Sequence, residues 1–243
     1  MRRGLAIVVT AATVAVLAAG CGGKRYEVRL DKTLEEMRYR KRLDDNLTPP
    51  AKGKLETNLI YVRPPKGLEG PTKVFQLTEL EPGKFDVSES FFEKDKQNLH
   101  VLARIKRPKA AASKKGPAQP EPAKAARGEF NADVVAVLNS VYGVEIDLAK
   151  AKEESKRTNR FKRLTFEGNG KNVQLFLLGS KTSPYEVALV FEYPKSEQSS
   201  LISKIDLCLG SFAVGEKARR FFEGVVTEEE GTEPGAATGP APM

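Results

Sequence analysis

Apolar positions along this chain follow three patterns, and each implies a different backbone. Leu5 to Leu17 are almost uninterruptedly apolar. Later, Leu99, Val101, Ala103 and Ile105 alternate with other residues, as do Tyr185, Val187, Leu189, Phe191 and Tyr193, which is the period of a strand. Val134, Val137, Leu138 and Val141 instead recur every three or four residues, as do Leu201, Ile205, Cys208, Leu209 and Phe212, which is the period of a helix with one buried stripe.

Turn and cap residues set the expected boundaries. A short strand is expected at Tyr26–Leu30. The capping-box pattern Thr33-Leu34-Glu35-Glu36 predicts a surface helix over Thr33–Leu43, near the membrane, whose apolar stripe of Leu34 and Met37 is thin. Strands are expected at Leu59–Val62, Val74–Leu77 and Leu99–Ile105. Asn131 is the expected cap of the helix that ends before Gly143. Gly168-Asn169-Gly170 predicts a tight hairpin joining Phe161–Glu167 to Asn172–Leu178, and Pro194 stops the strand Pro184–Tyr193. Two helices follow, Gln198–Phe212 and Gly215–Glu223. The expected fold is α+β: an antiparallel sheet of five to six strands with two main helices packed on it.

Composition divides the chain further. Residues 106–129 are rich in Ala, Pro and Lys and offer almost nothing large and apolar to bury, so a disordered insertion is expected there. The acidic, then Gly/Ala/Pro-rich residues 227–243 are expected to form a disordered tail. The expected organisation is therefore a signal segment at 1–20, a tether with its surface helix at 21–57, and a single α+β domain at 58–226. Of the formal net charge of +8, two charges belong to Arg2 and Arg3. A further net five belongs to the insertion, where Lys106, Arg107, Lys109, Lys114, Lys115, Lys124 and Arg127 face only Glu121 and Glu129. The remainder is nearly neutral. This argues against a dedicated nucleic-acid fold and leaves non-specific attraction of the insertion to anionic polymers or lipid headgroups.

The amino-terminal segment carries the most specific motif. Two arginines precede the apolar run, and Leu17-Ala18-Ala19-Gly20-Cys21 resembles a lipobox, the motif of bacterial lipoproteins. The resemblance implies cleavage before Cys21 and a diacylglyceryl group on its thiol, acyl chains of the palmitate kind. Two alternatives are an ordinary secretory signal cut at the same bond and a membrane-spanning anchor. The latter needs ~20 predominantly apolar residues, and Gly20-Cys21-Gly22-Gly23 is poor helix material. Two or more acyl chains anchor stably where one does not. With Gly22 rather than Asp after the cysteine, the resemblance implies the periplasmic face, the outer membrane favoured over the inner. With Cys21 modified, Cys208 has no partner for a disulfide and is expected to be an inert core thiol.

Familiar catalytic and ligand-binding motifs are largely missing from the sequence. Gly179-Ser180-Lys181-Thr182 lacks the glycines of a phosphate-binding loop, and no Gly-x-Ser-x-Gly elbow occurs. His100 is the only histidine and has no metal-ligand neighbours at coordinating spacing, so its replacement by Ala is expected to leave stability nearly unchanged. Glu153-Glu154 lie in polar sequence and are expected to be solvated in a loop. No catalytic, cofactor or metal residue is assigned; the assigned site is the lipidation site, Cys21.

The order of elements, from Leu59-Ile60-Tyr61-Val62-Arg63-Pro64 through the three-stranded meander to Leu201–Phe212, resembles the PsbP-like α/β fold, found also in small bacterial envelope lipoproteins. The Pro- and Ala-rich style is similar to that of uncharacterised planctomycete-like lipoproteins. Together these readings imply a non-enzymatic, lipid-anchored envelope protein that binds or scaffolds another envelope protein. The alternatives are a carrier of an apolar ligand in a cleft lined from Tyr185, Val187 or Phe191, and a hydrolytic enzyme.

Overall fold

The computed structural model describes residues 23–72, 83–106, 128–179 and 183–222, apart from the side chains of 23–25 and of Phe221. Cys21, the strand expected at Val74–Leu77, Lys181 and Thr182, most of the insertion and the tail lie outside the described residues. The chain divides into two units, Met1–Asp45 and Asn46–Met243.

In the first unit, α1 (Gly23–Asn46) is one continuous helix. Tyr26–Leu30 is therefore helical rather than extended, and Thr33 is no cap: its hydroxyl donates to the carbonyl of Arg29, one turn back, at 2.9 Å. Glu, Lys and Arg dominate this segment and favour helix individually. Pairs such as Arg40–Glu36, 3.6 Å apart across one turn, add to that preference. Among the described residues no strand pairs with the five-residue alternation at Tyr26–Leu30.

The second unit opens with the short α2 (Lys54–Thr57) and β1 (Ile60–Tyr61), which pairs with β9 (Ala213–Val214). The remaining strands are β2 (Glu69–Thr72), β3 (Val87–Glu93), β4 (Gln97–Ile105), β5 (Lys152–Lys156), β6 (Asn159–Gly168), β7 (Lys171–Leu178) and β8 (Tyr185–Tyr193). They form one seven-stranded antiparallel sheet in the order β2-β3-β4-β8-β7-β6-β5. The α+β class is as expected, with more strands. The additional ones, β2, β3 and β5, are polar enough to resemble loops. β5 contains Glu153 and Glu154, and Glu154 is paired with Lys156 at 2.8 Å and Arg163 at 3.0 Å rather than simply solvated. Such charged edges resist pairing with a further strand.

Both faces of the sheet are covered. On one, α3 (Phe130–Tyr142) buries Phe130, Val134, Val137 and Leu138 against Leu102, Leu164, Leu175, Leu177, Ala188 and Val190. On the other, α4 (Gln198–Ser211) buries Leu201, Ile205, Cys208 and Leu209. Phe212, just beyond α4, meets Phe161 edge-on at 6.2 Å, and Phe176 and Phe191 extend the aromatic row. The last helix is α5 (Glu216–Phe222).

Two details position α3. It begins one residue before the expected cap, because Phe130 is buried and its ring packs edge-on to Phe85 at 6.0 Å; Glu129 takes the cap position without a side-chain bond. At the other end Gly143 adopts the left-handed conformation that closes the helix. The β6–β7 hairpin turns on Asn169 and Gly170, both with positive φ, as a two-residue type I′ turn requires. Gly168 serves packing instead. A Cβ there would lie 2.7 Å from the Tyr142 ring, so its absence lets that ring sit against the strand.

Candidate functional site

Two charged residues break the apolar pattern of the central strands. Glu192 shares the α3 side of β8 with Ala188 and Val190, and Arg104 shares the same side of β4 with Leu102. A charge brought into such a position costs free energy unless it is paired and hydrogen-bonded. Each is the hub of a buried polar cluster.

Glu192 gathers side chains from three other elements. His100 of β4 donates from Nε2 to Oε1 at 2.8 Å, and Tyr142, the last residue of α3, donates its hydroxyl to the same oxygen. Asn98 donates to Oε2 at 3.0 Å, and Lys171 Nζ stands 3.6 Å from that oxygen. Because a carboxylate only accepts, the bond to Glu192 places a proton on Nε2 and turns Nδ1 towards Ser90 of β3, whose hydroxyl is hydrogen-bonded to it. Burial alone would raise the pKa of Glu192; the hydrogen bond and charge of His100, with Tyr142 and Asn98, outweigh it and hold the carboxyl at about 2. Burial, then the charge of Glu192, pushes the Tyr142 phenol above its ordinary range, so it stays a donor.

Arg104 organises the other end of α3. Its Nη2 lies 2.6 Å from Asp133 Oδ2, in the first turn of α3, and its remaining donors reach the carbonyls of Lys84 and Gly128. Lys84 Nζ is 3.4 Å from the other Asp133 oxygen. The guanidinium also lies over the Phe130 ring, 5.6 Å from its centroid. Burial raises the Asp133 pKa, but the bonds from Arg104 and Lys84 more than offset it, and the carboxyl stays below its usual value.

The chemistry of these clusters differs from what the sequence suggests. His100 is not an isolated side chain: both ring nitrogens are engaged, so His100→Ala is expected to cost stability rather than leave it nearly unchanged. Ser90, His100 and Glu192 follow the hydroxyl–imidazole–carboxylate order of an acid–base relay, yet Ser90 is only 4% exposed and sits inside a strand. A separate cleft of about 350 Å³ runs between Glu145–Lys152 and Arg163–Phe166. Two of its charged groups are engaged locally: Asp147 accepts from the Ala149 amide at 2.9 Å, and Arg163 pairs with Glu154.

The other sequence-derived positions are dispersed. Cys208 is fully buried, which pushes its thiol up to about 12. Lys106 is exposed and paired with Glu186 at 2.8 Å, while Arg107, Lys109, Lys114, Lys115, Lys124 and Arg127 lie outside the described residues. Val187 and Phe191 are packed into the core under α4 rather than lining a cleft. Among the described residues there is no cluster of metal-binding side chains, and no helix long and apolar enough to cross a membrane.

No protein-family model matches the chain, and no curated protein matches it. The solution structure of cyanobacterial PsbP (CyanoP) from Synechocystis sp. PCC 6803 is similar at 12% identity and a TM-score of 0.43, over 70% of this chain and 93% of that one. A crystal structure from Bacteroides thetaiotaomicron VPI-5482 is similar at 11% identity and a TM-score of 0.36, over 65% of this chain and 46% of that one. The α+β class itself rests on the strand order and helix placement described above.

Proposed function

We propose that this chain is a lipid-anchored cell-envelope protein without an enzymatic role, whose α+β unit binds or scaffolds another envelope component. The anchor would be a diacylglyceryl group on Cys21, on the periplasmic face, with the outer membrane favoured over the inner. The observation that carries the anchor is the run Leu17-Ala18-Ala19-Gly20-Cys21 behind an apolar, positively led segment. What supports binding over catalysis is that the reactive side chains point inward: Ser90 and His100 are tied into the cluster that holds α3 on the sheet. The tight packing of Val187 and Phe191 weighs against an apolar carrier.

The test of the anchor is Cys21→Ser in cells. The variant is expected to leave the membrane fraction and to lose labelling by a fatty-acid analogue; a variant that stays in the membrane uncleaved overturns the anchor. Crosslinking the anchored protein in its native membrane is expected to recover an envelope protein.

The order Ser90–His100–Glu192 favours a second reading, hydrolysis. A fluorophosphonate probe that labels the wild-type chain but not Ser90→Ala would establish it.

A further inference from the structure

The first unit presents an apolar stripe to solvent. Tyr26, Leu30, Leu34 and Met37 of α1 are 67%, 44%, 40% and 61% exposed. At 3.6 residues per turn they fall within about 80° of arc and extend for about 17 Å along the helix. Elsewhere α1 is strongly polar, so the stripe is its one continuous apolar feature. Basic side chains border it. Arg29 and Arg40 lie on one flank and Arg38 on the other, and Lys41 follows one turn after Met37 in line with the stripe. Of the acidic side chains, Glu35 lies opposite the stripe, Asp31 lies as far from it as Arg29, Glu27 borders it beside Tyr26, and Glu36, paired with Arg40, lies beyond Arg29 on the same flank. Long cationic side chains beside an apolar stripe bury their stems while keeping their charge at phosphate level, and tyrosine suits the same interface. The helix also begins two residues after Cys21.

We propose that α1 is an interfacial membrane helix, lying in the headgroup region of an anionic bilayer with Tyr26, Leu30, Leu34 and Met37 inserted. The inference rests on the lipid anchor proposed above, because acyl chains on Cys21 would hold the start of α1 within a few ångströms of the bilayer. Anchoring removes the cost of bringing the helix to the surface, so even a short stripe suffices. The bilayer is the committed occupant. A second copy of the chain would have to accept Arg29, Arg40 and Lys41 beside their own equivalents, a like-charge arrangement that an anionic surface reverses.

The experiment places a fluorophore at Leu30→Cys or at Glu35→Cys in the lipidated protein, reconstituted in vesicles of phosphatidylglycerol and phosphatidylethanolamine. Cys21 is blocked by its lipid and Cys208 is buried, so labelling is confined to the introduced thiol. Lipid-borne nitroxide is expected to quench the label at 30 at least about threefold more than the label at 35. The difference is expected to shrink in neutral phosphatidylcholine vesicles and at high salt. Equal, weak quenching at both positions overturns the proposal, as does quenching that appears only when a second, unlabelled copy is titrated in. The mass of the amino-terminal peptide reports lipidation separately. If Cys21 is unmodified, the anchor reading fails; the same labels on a Cys21→Ser background with anionic vesicles then decide whether α1 binds the bilayer unaided, and its failure to bind there overturns the proposal.

Discussion

The two ends of α3 are both held by buried charge, but in opposite ways. At the amino end the acid is on the helix, Asp133, and it meets two cations, Arg104 and Lys84. An acid in the first turn also complements the helix dipole. At the carboxyl end the acid is on the sheet, Glu192, and the helix contributes only the neutral hydroxyl of Tyr142. His100, Asn98 and Lys171 complete that cluster from β4 and β7. The amino end is therefore an ion-pair clamp, while the carboxyl end is a hydrogen-bonded hub joining three strands and the helix. A buried pair contributes little net stability when complete, yet removing one partner strands the other. The clamp should consequently be the more fragile of the two.

The sharpest test removes one side of the clamp. Asp133→Ala leaves the Arg104 guanidinium, only 8% exposed, facing Lys84 without a counter-charge. A loss of about 3–5 kcal/mol in urea unfolding is expected, most of it recovered when Arg104→Met is added. If the single substitution costs under about 1 kcal/mol, the clamp does not hold α3.

Acid distinguishes the hub. The folded pKa of Glu192, about 2, lies below its ordinary value of 4.5, so its contribution is present above pH 4.5 and is lost as pH falls from there towards 2. The integrated loss is of the order of a few kcal/mol. Glu192→Gln is expected to lower stability near neutrality and to flatten the acid limb of the stability–pH curve. An unchanged limb in that variant would assign acid sensitivity to Asp133, which is displaced in the same direction.

His100→Ala is expected to cost about 1–2 kcal/mol, smaller than either loss above, because Glu192 keeps Tyr142, Asn98 and Lys171 while Ser90 loses its partner. Thermal or chemical unfolding of the variant measures it. A negligible cost would restore the reading of an isolated histidine and reduce the hub to Tyr142 and Glu192.

Much of the fold was legible because it depends on local pattern. The alternation of β4 and β8, the stripes of α3 and α4, and the Asn169-Gly170 turn each follow from neighbours in sequence. β3 and β5 were not legible in that way, since Ser88, Glu89, Ser90, Glu153 and Glu154 suit a strand only once flanking strands supply partners. The polar clusters are harder still: Ser90, His100, Tyr142 and Glu192 lie on four elements, and no spacing connects them. One clue was present. Glu192 in Val187–Tyr193 and Arg104 in Leu99–Ile105 interrupt runs too apolar to face water, and a charge in such a run requires a partner. The first-turn position of Asp133 follows from the helix boundary at Asn131, but its counter-charges do not. α1 failed in the other direction, where a brief strand-like alternation was outweighed by helix-favouring residues on both sides.

The insertion offers the mildest perturbation and the finest test of the clamp. Arg104 donates to the Gly128 carbonyl at 2.9 Å, so the residues on either side of 107–127 already meet at the amino end of α3. Two physical causes can then keep that end in place: the ion pair with Asp133, and the simple covalent connection. Loop-closure entropy changes by only ~0.6 kcal/mol for each doubling of length, so replacing residues 108–127 with a short Gly/Ser connection should move the melting temperature by only a few degrees. The informative quantity is the Asp133→Ala penalty measured in that shortened chain. If the ion pair holds the helix, the penalty should match that in the full-length chain within about 0.5 kcal/mol, as for independent sites. Should it fall by more than half, the connection would be holding α3, and Arg104 would be a loop organiser with Asp133 as its counter-charge.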